Sequence, residues 1–318
     1  MSLVDSLSVV VPVYRSQESL PELAAELARV LPTIAAHYEL ILVCDGSPDN
    51  SWDVIVDLAA AHTWIVGIHM MRNYGQHNAL LSGIRSARYD LIVTMDDDLQ
   101  HPPSEIVKLL EKLTERVDVV YGAPEHEQHG LFRDLASQIT KWALQSSMGV
   151  ETARKASAFR LFRTRIREAF AQYSSSYVNI DVLLTWGTTR FAAVTVRHDQ
   201  RKFGKSTYTF RKLITHALNM ITGFSVVPLQ IASLLGFVFA GFGALILLYV
   251  LINALINGTI VPGFAFLAST VAIFAGAQLF ALGIIGEYLA RVHFRTMDRP
   301  TYTVREVIRT ETAEKAVE

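Results

Sequence analysis

Residues Met95 to Pro103 read MDDDLQHPP, three adjacent carboxylates directly behind the apolar run Leu91 to Met95. Like charges packed this closely repel one another unless something positive sits among them. No run of Lys or Arg occupies the same loop, so a divalent cation is the best candidate. Along an extended segment alternate residues point the same way, which would turn Asp96 and Asp98 to one side and Asp97 to the other. Their oxygens suit Mg²⁺ or Mn²⁺. Gln100 continues the alternation and could add a carbonyl ligand. His101, Pro102 and Pro103 then stop the strand, and Ser104 is placed to cap the next helix with Glu105 in its first turn. A short D-x-D is often no more than a solvated acidic turn, but the buried strand before it and three companion loops favour the metal.

A metal held by one or two carboxylates usually completes its shell with phosphate oxygens, which predicts a phosphorylated ligand. Candidate anion partners are Arg72, Arg133, Arg160, Arg201 and Lys205, although most arginines are simply surface charge. No G-x-x-x-x-G-K-[ST] is present, which excludes a P-loop NTPase, and no G-x-G-x-x-G follows the first apolar run, which argues against a dinucleotide oxidoreductase. His101, His126 and His129 lack the spacing of zinc ligands; Gly122 to Val150 reads instead as a polar active-site loop.

The elements that must position these residues alternate. Leu7 to Val11, Leu40 to Val43, Ile65 to Met70, Leu91 to Met95, Val117 to Tyr121 and Phe191 to Val196 read as strands. Leu20 to Leu31, Trp52 to Ala61, Asn78 to Ala87 and Glu105 to Leu113 read as helices. Such alternation predicts right-handed βαβ units and a mostly parallel sheet, with a crevice at the carboxyl ends of its strands. The polar clusters fall at those ends: Pro12-Val13-Tyr14, Asp45-Gly46-Ser47, Arg72-Asn73-Tyr74-Gly75 and Asp96-Asp97-Asp98. Four loops would line one crevice.

Hydrophobic residues make up 51% of the 318, and the mean hydropathy of +0.28 is high for a purely soluble enzyme. The excess lies in the C-terminal third. Phe224 to Ile256 and Phe264 to Gly286 carry no charged side chain, and each exceeds the roughly 20 residues a bilayer-crossing helix needs. Basic residues flank the pair on both outer sides, Arg197 to Lys212 before and Arg291 to Arg305 after, which places both flanks in the cytoplasm and the short loop between the helices outside. Ser206 to Phe224 alternates basic and apolar residues as an interfacial amphipathic helix would. The expected organisation is therefore a cytoplasmic catalytic domain over 1–205, a juxtamembrane helix over 206–223, two transmembrane helices within 224–290 and a cytoplasmic tail over 291–318. Gly236, Gly241 and Gly243 would permit close helix packing, and a homo-oligomer is expected. A net charge of −1 gives no sign of nucleic acid, and the single Cys44 permits no intramolecular disulfide. No cleaved signal peptide is expected at the N-terminus.

VVPVYRSQESL, CDGSPDNS, RNYGQHNALLSG, MDDDLQHPPSEI, SAFRLF, RKFGKSTYTF, LGIIGEYLARV and RPTY, in this order, resemble the inverting GT-A glycosyltransferases that act on polyisoprenyl phosphates. The similarity is to the dolichyl- and undecaprenyl-phosphate sugar transferases, including the bacterial glucosyl and aminoarabinose types, and it covers nearly the whole chain. The resemblance implies a GT-A, Rossmann-like domain with a two-helix transmembrane hairpin in the inner membrane. Pro12, Tyr14, Glu18 and Asp45, with Gly46 and Ser47, match residues that hold the nucleotide, as would Arg72 and Asp97. Asp96, Asp98 and Gln100 match the metal and diphosphate set. Arg133 and Ser137 resemble a pair on the acceptor phosphate, joined by Arg201, and Arg160 and Lys205 resemble basic residues near the diphosphate and lipid phosphate. Gln76 and Asp181 are candidates for the sugar pocket.

Two positions depart from the pattern. Cys44 stands where relatives often have an aspartate, which implies that one interaction with the base is missing or replaced. Ala123-Pro124-Glu125 stands where an arginine is common, which alters the acceptor-phosphate site. The reaction implied is metal-dependent transfer of a sugar from a nucleotide sugar, with UDP-glucose favoured over a UDP-aminopentose, to a polyisoprenyl phosphate. A processive polysaccharide synthase is disfavoured by the absence of a Gln-x-x-Arg-Trp motif and of further membrane helices. An inert scaffold or sugar-lipid binding protein is disfavoured by Asp96, Asp98 and Gln100, and two helices make a poor path for a flippase.

Overall fold

Uninterrupted apolar strands need cover on both faces, and the computed structural model supplies it. Residues 3–124, 156–175, 178–200, 202, 227–257, 263–297 and 299–310 are described. The chain divides into two units, Met1–Ile214 with Arg299–Glu318, and Thr215–Asp298.

In the first unit eight strands form one sheet: β1 (Val4–Val13), β2 (Ala35–Cys44), β3 (Ile65–Met70), β4 (Leu91–Thr94), β5 (Val119–Pro124), β6 (Arg160–Arg163), β7 (Phe191–Val196) and β8 (Val304–Arg309). Their spatial order is β7-β5-β6-β4-β1-β2-β3-β8. β1 pairs parallel with β2 and β4, β2 with β3 and β5 with β7; only β6 and β8 run against the rest. The carboxyl ends of the parallel strands therefore share an edge with the first residues of β6 and β8.

Among the described residues of this unit the α-helices are α1 (Leu20–Ile34), α2 (Ser51–Ala61), α3 (Gln76–Ser86), α4 (Ile106–Lys112) and α5 (Ile180–Gly187). Register sets Val9, Val11 and Val13 beside Leu40, Leu42 and Cys44. That face packs with Leu20, Leu23, Leu27 and Leu31 of α1 and with Ile55 and Ala59 of α2. The opposite face carries Val10 and Val43 under α3, where a Cβ added at Gly83 would come within 3.1 Å of the Val43 side chain.

The predicted strands and helices are present, with ends shifted by a few residues. Ser104 does not cap the fourth helix: a 3₁₀ turn over Pro103–Glu105 leads into α4, and no side chain caps either. β6 and β8 were not foreseen as strands. β6 has only four residues, and β8 is an edge strand, VREVIR, whose charges follow a pattern that does not mark it as extended. Pairing with β3 makes it a strand, a tertiary effect that outweighs local preference. It also puts residues assigned to the C-terminal tail into the sheet of the first unit.

The second unit holds α6 (Val227–Asn257) and α7 (Phe264–Thr296). Within them Pro228–Asn253 and Ile273–His293 have mean hydropathies of 2.5 and 1.6. Their apolar side chains point outward, Phe237 at 77% and Leu255 at 86% exposure, a surface matched to hydrocarbon rather than water. Gly243 lets Phe274 approach, since a Cβ there would meet the ring at 3.0 Å, and Phe239 meets Phe274 edge-on with centroids 6.0 Å apart. Gly236 and Gly241 face open space. The pair is consistent with a hairpin, and the chain on either side of it belongs to the first unit. The expected juxtamembrane helix over 206–223 lies outside the described residues.

Candidate active site

The loops after β1 and β2 are stitched together by small polar side chains. The Arg15 amide donates to Ser47 Oγ at 2.8 Å, and the Ser16 amide to Ser51 Oγ at 2.9 Å. Asp49 accepts from the hydroxyls of Ser47 at 2.5 Å and Ser51 at 2.7 Å. Burial alone would raise the Asp49 carboxyl, but these hydrogen bonds outweigh it and hold the group below the usual carboxylate range. Arg15 has φ of 59°, a left-handed conformation that is uncommon for a residue with a Cβ. Pro12 is buried in β1, while Tyr14 and Glu18 are exposed in the loop that follows.

Asp45 fastens the next loop. Its two oxygens accept the backbone amides of Tyr74 at 2.7 Å and Gly75 at 2.8 Å. Burial raises its carboxyl above the usual range, and these two bonds only partly offset that. Gly46, with φ of 57°, lies against the backbone of Arg72 and Asn73, and a Cβ would approach it to 2.5 Å at Asn73 N. Arg72 is exposed, its guanidinium 4.5 Å from the centroid of the Tyr74 ring. Cys44 is fully buried on the α1 face of the sheet, with burial pushing the thiol up. This position contributes to the core.

β4 ends at Thr94, so the carboxylates sit on a turn and not on an extended segment. Asp97 accepts the Ser16 hydroxyl, so the turn and not strand alternation sets its partner. Burial pushes its carboxyl up to about 6. Asp96 accepts from Gln76 Nε2 at 2.7 Å, which makes Gln76 a tether between α3 and this turn as well as a sugar-pocket candidate. Leu99 is buried with φ of 58°, and the Gln100 amide folds back on Asp98 Oδ1 at 3.1 Å. Among the described residues no three His, Cys, Asp or Glu side chains form a closed metal cage. Asp96, Asp98 and the Gln100 carbonyl are all hard oxygen donors, a set that fits a cation drawing the rest of its shell from phosphate.

The segment after β7 crosses this turn. The Asp199 amide donates to Gln100 O at 2.8 Å, and the Arg197 amide to Glu105 Oε2 at 3.0 Å. His101 stacks on Phe159 at 5.1 Å and meets His198 edge-on at 4.9 Å; burial first, then His198, pushes it down to about 4.

Arg160 begins β6, opposite Thr94 and Tyr121, and is 1% exposed. Its Nη1 lies 2.5 Å from Asp181 Oδ1, which also accepts the Tyr121 hydroxyl at 2.9 Å. Through Asp181 the enclosed guanidinium forms a buried link among β5, β6 and α5. Ala123 and Pro124 are in β5, paired with β7. Arg133, Ser137, Arg201 and Lys205 lie outside the described residues, as do His126 and His129.

Ser16, Asp49, Ser51 and His198 were missed by sequence reasoning. The Ser and Asp spacing of SPDNS, typical of side chain to backbone turns, was the available signal for Asp49 and Ser51; none marked Ser16 or His198.

Two solved structures share the fold, each with a TM-score of 0.50 and 16% identity. Glucosyl-3-phosphoglycerate synthase from Mycobacterium tuberculosis aligns over 69% of this chain and 78% of its own; mannosyl-3-phosphoglycerate synthase from Rubrobacter xylanophilus over 68% and 72%. The undecaprenyl-phosphate 4-deoxy-4-formamido-L-arabinose transferase of Shewanella sediminis (strain HAW-EB3) is 36% identical over 308 residues, 96% of this chain and 93% of that protein. The model of glycosyl transferase family 2 matches residues 8–175, the stretch that supplies the loops after β1 to β4, the carboxylate turn and β6. With a GT-A-like α/β domain and that match over more than half its length, the chain is a glycosyltransferase and belongs to glycosyl transferase family 2.

Proposed function

We propose that the protein transfers a sugar from a UDP-sugar to undecaprenyl phosphate at the cytoplasmic face of the inner membrane. The observation that carries this reading is the 36% identity to the Shewanella sediminis transferase across 96% of the chain, a span that takes in the crevice loops and both apolar helices. The preference for glucose finds no support in that relative, whose sugar is a formamido-arabinose. A UDP-linked 4-amino- or 4-formamido-arabinose is accordingly the first reading, and UDP-glucose the second.

The acceptor monophosphate, with a second pKa near 6, is largely dianionic at neutral pH and needs no general base. Its oxygen forms the bond to the anomeric carbon while the bond from that carbon to the diphosphate oxygen breaks, the electron pair leaving with UDP and the configuration inverting. The protein's task is alignment of these atoms and neutralisation of the leaving group. Mg²⁺ or Mn²⁺ held by Asp96, Asp98 and Gln100 would supply positive charge for the diphosphate. Pro12, Tyr14, Glu18 and the Asp45 to Ser47 loop frame the base and ribose, and Arg72 faces the donor's charge. Arg133, Ser137, Arg201 and Lys205 take the acceptor phosphate. Arg160 acts at one remove, holding Asp181 for the sugar. A homo-oligomer is part of the proposal, with Gly236 and Gly241 available for contacts between copies.

The test is to incubate purified full-length protein with undecaprenyl phosphate, Mn²⁺ and a panel of labelled UDP-sugars, and to follow label into the organic phase. Transfer of the aminoarabinose-type sugars well above glucose is the expected result. Preferential transfer of glucose would reverse the order of the two sugars, and UDP binding without transfer of any sugar would overturn the reaction.

A further inference from the structure

Asp49 lies in the loop after β2 and reaches the loop after β1. Its Oδ1 accepts the hydroxyls of Ser47 at 2.5 Å and Ser51 at 2.7 Å and the Ser51 amide at 3.2 Å, and its Oδ2 accepts the Gln17 amide at 3.4 Å. Burial works against the charge and these bonds outweigh it, so the carboxylate is ionised at neutral pH and can only accept. Each serine hydroxyl has a single proton to give, and both protons go to Asp49. The oxygens of Ser47 and Ser51 are thereby left as acceptors, and each takes one amide from the loop after β1: Arg15 at 2.8 Å and Ser16 at 2.9 Å. A further tie runs alongside, from the Asn50 amide to Gln17 Oε1 at 3.0 Å.

These bonds fix an unfavourable backbone. Arg15 has φ of 59°, where a residue with a Cβ is uncommon, and its side chain is exposed, so the bond from its amide to Ser47 and not burial holds the turn. Ser16 is held at three atoms. Its amide is taken by Ser51, its hydroxyl donates to Asp97 in the acidic turn, and its carbonyl accepts the amides of Ser19 at 3.1 Å and Leu20 at 3.2 Å where α1 begins. Ser16 is therefore the point at which the two base-side loops meet the turn that carries Asp96 and Asp98. Ser51 is 0% exposed, so its hydroxyl acts only through its neighbours.

We infer that Asp49 is a positioning residue for the donor site: by taking the protons of Ser47 and Ser51 it turns both oxygens toward the loop after β1, and so sets Tyr14 and Ser16 against the acidic turn. This role rests on the crevice being the UDP-sugar site. It makes donor affinity depend on Ser51, a side chain closed off from any ligand.

The test measures binding of UDP with Mn²⁺ to the full-length protein in detergent by calorimetry, alongside the KM for undecaprenyl phosphate and the thermal midpoint. Asp49→Ala is expected to weaken UDP binding at least about tenfold, the scale of one hydrogen bond to a charged group, with acceptor KM unchanged. Asp49→Asn keeps an oxygen for the two hydroxyls but sets an N–H against that of Gln17, and is expected to lose about threefold. Ser51→Ala is expected to lose about fivefold. Combined with Asp49→Ala it should bind less than about twofold more weakly than Asp49→Ala alone, because the two residues act through one network. Should Asp49→Ala fail to fold, Asp49→Asn and Ser51→Ala carry the same cycle. Wild-type UDP affinity in Ser51→Ala and in the Asp49 variants would overturn the inference, as would losses that simply multiply in the double variant. A fall in thermal midpoint and a rise in acceptor KM that track the UDP loss in every variant would overturn it too, since they mark general destabilisation. Wild-type protein that binds no UDP would overturn the donor reading itself, an outcome distinct from these.

Discussion

At the scale of single residues, the crevice is held by contacts that leave little slack. Gly46 adopts φ of 57° against the Arg72–Asn73 backbone, so Gly46→Ala adds a left-handed strain of about 1–2 kcal/mol to a collision with main-chain atoms. The expected outcome is at least about a tenfold loss of UDP affinity, measured by calorimetry on folded protein. Arg160 makes the opposite kind of prediction. Because it is enclosed with Asp181, Arg160→Met leaves a carboxylate uncompensated, and breaking one partner of such a buried pair costs about 3–5 kcal/mol. Chemical denaturation should show that loss; a stable Arg160→Met protein with only turnover impaired would restore Arg160 to direct phosphate contact. The acidic turn that holds Asp96 and Asp98 was legible because three carboxylates directly follow an apolar run. The destination of Asp97 was not, since it depends on Ser16, 81 positions away.

At the scale of elements, the parallel part of the sheet was readable from continuous Val- and Ile-rich runs, while β6 and β8 were not. Four residues carry too little periodicity to identify β6, and β8 owes its form to the exposed edge of β3. The edge strands at the other side depend on Asp118, which binds Arg190 at 2.8 Å and Thr188 at 2.7 Å and lies near Arg163 and Arg165. Burial would raise its carboxyl, but the Arg190 and Thr188 hydrogen bonds outweigh that and depress it. A depressed folded-state pKa gives stability that is present above the unfolded value of about 3.9 and lost as pH falls through the folded value. Asp118→Asn is therefore expected to cost roughly 1–2 kcal/mol at pH 7 and to flatten the loss of stability below about pH 4. Denaturation midpoints at pH 7 and pH 3 measure both; an unchanged acid profile would contradict the assignment.

At the scale of the whole molecule, the two apolar helices were evident from composition, but the return of the chain afterwards into the sheet as β8 was not, because nothing local to Val304–Arg309 announces it. Segments before and after the helices belong to one unit, which suits an even number of membrane crossings with both flanks on the same side. Cys44 is the only cysteine and is buried, so Thr259→Cys in the loop between the helices should be the one site labelled by a membrane-impermeant maleimide in intact cells. Labelling only after the cells are opened would reverse the topology. The central claim is that an acidic turn at the end of β4 serves the departure of a nucleoside diphosphate from a sugar bound for a lipid phosphate. Its most direct measurement is the rate of sugar transfer from the preferred UDP-sugar to undecaprenyl phosphate by wild type with Mn²⁺, by wild type with EDTA, and by Asp98→Ala with Mn²⁺. The account predicts transfer in the first, none in the second, and a fall of at least about 10²-fold in the third; equal rates in all three would contradict it.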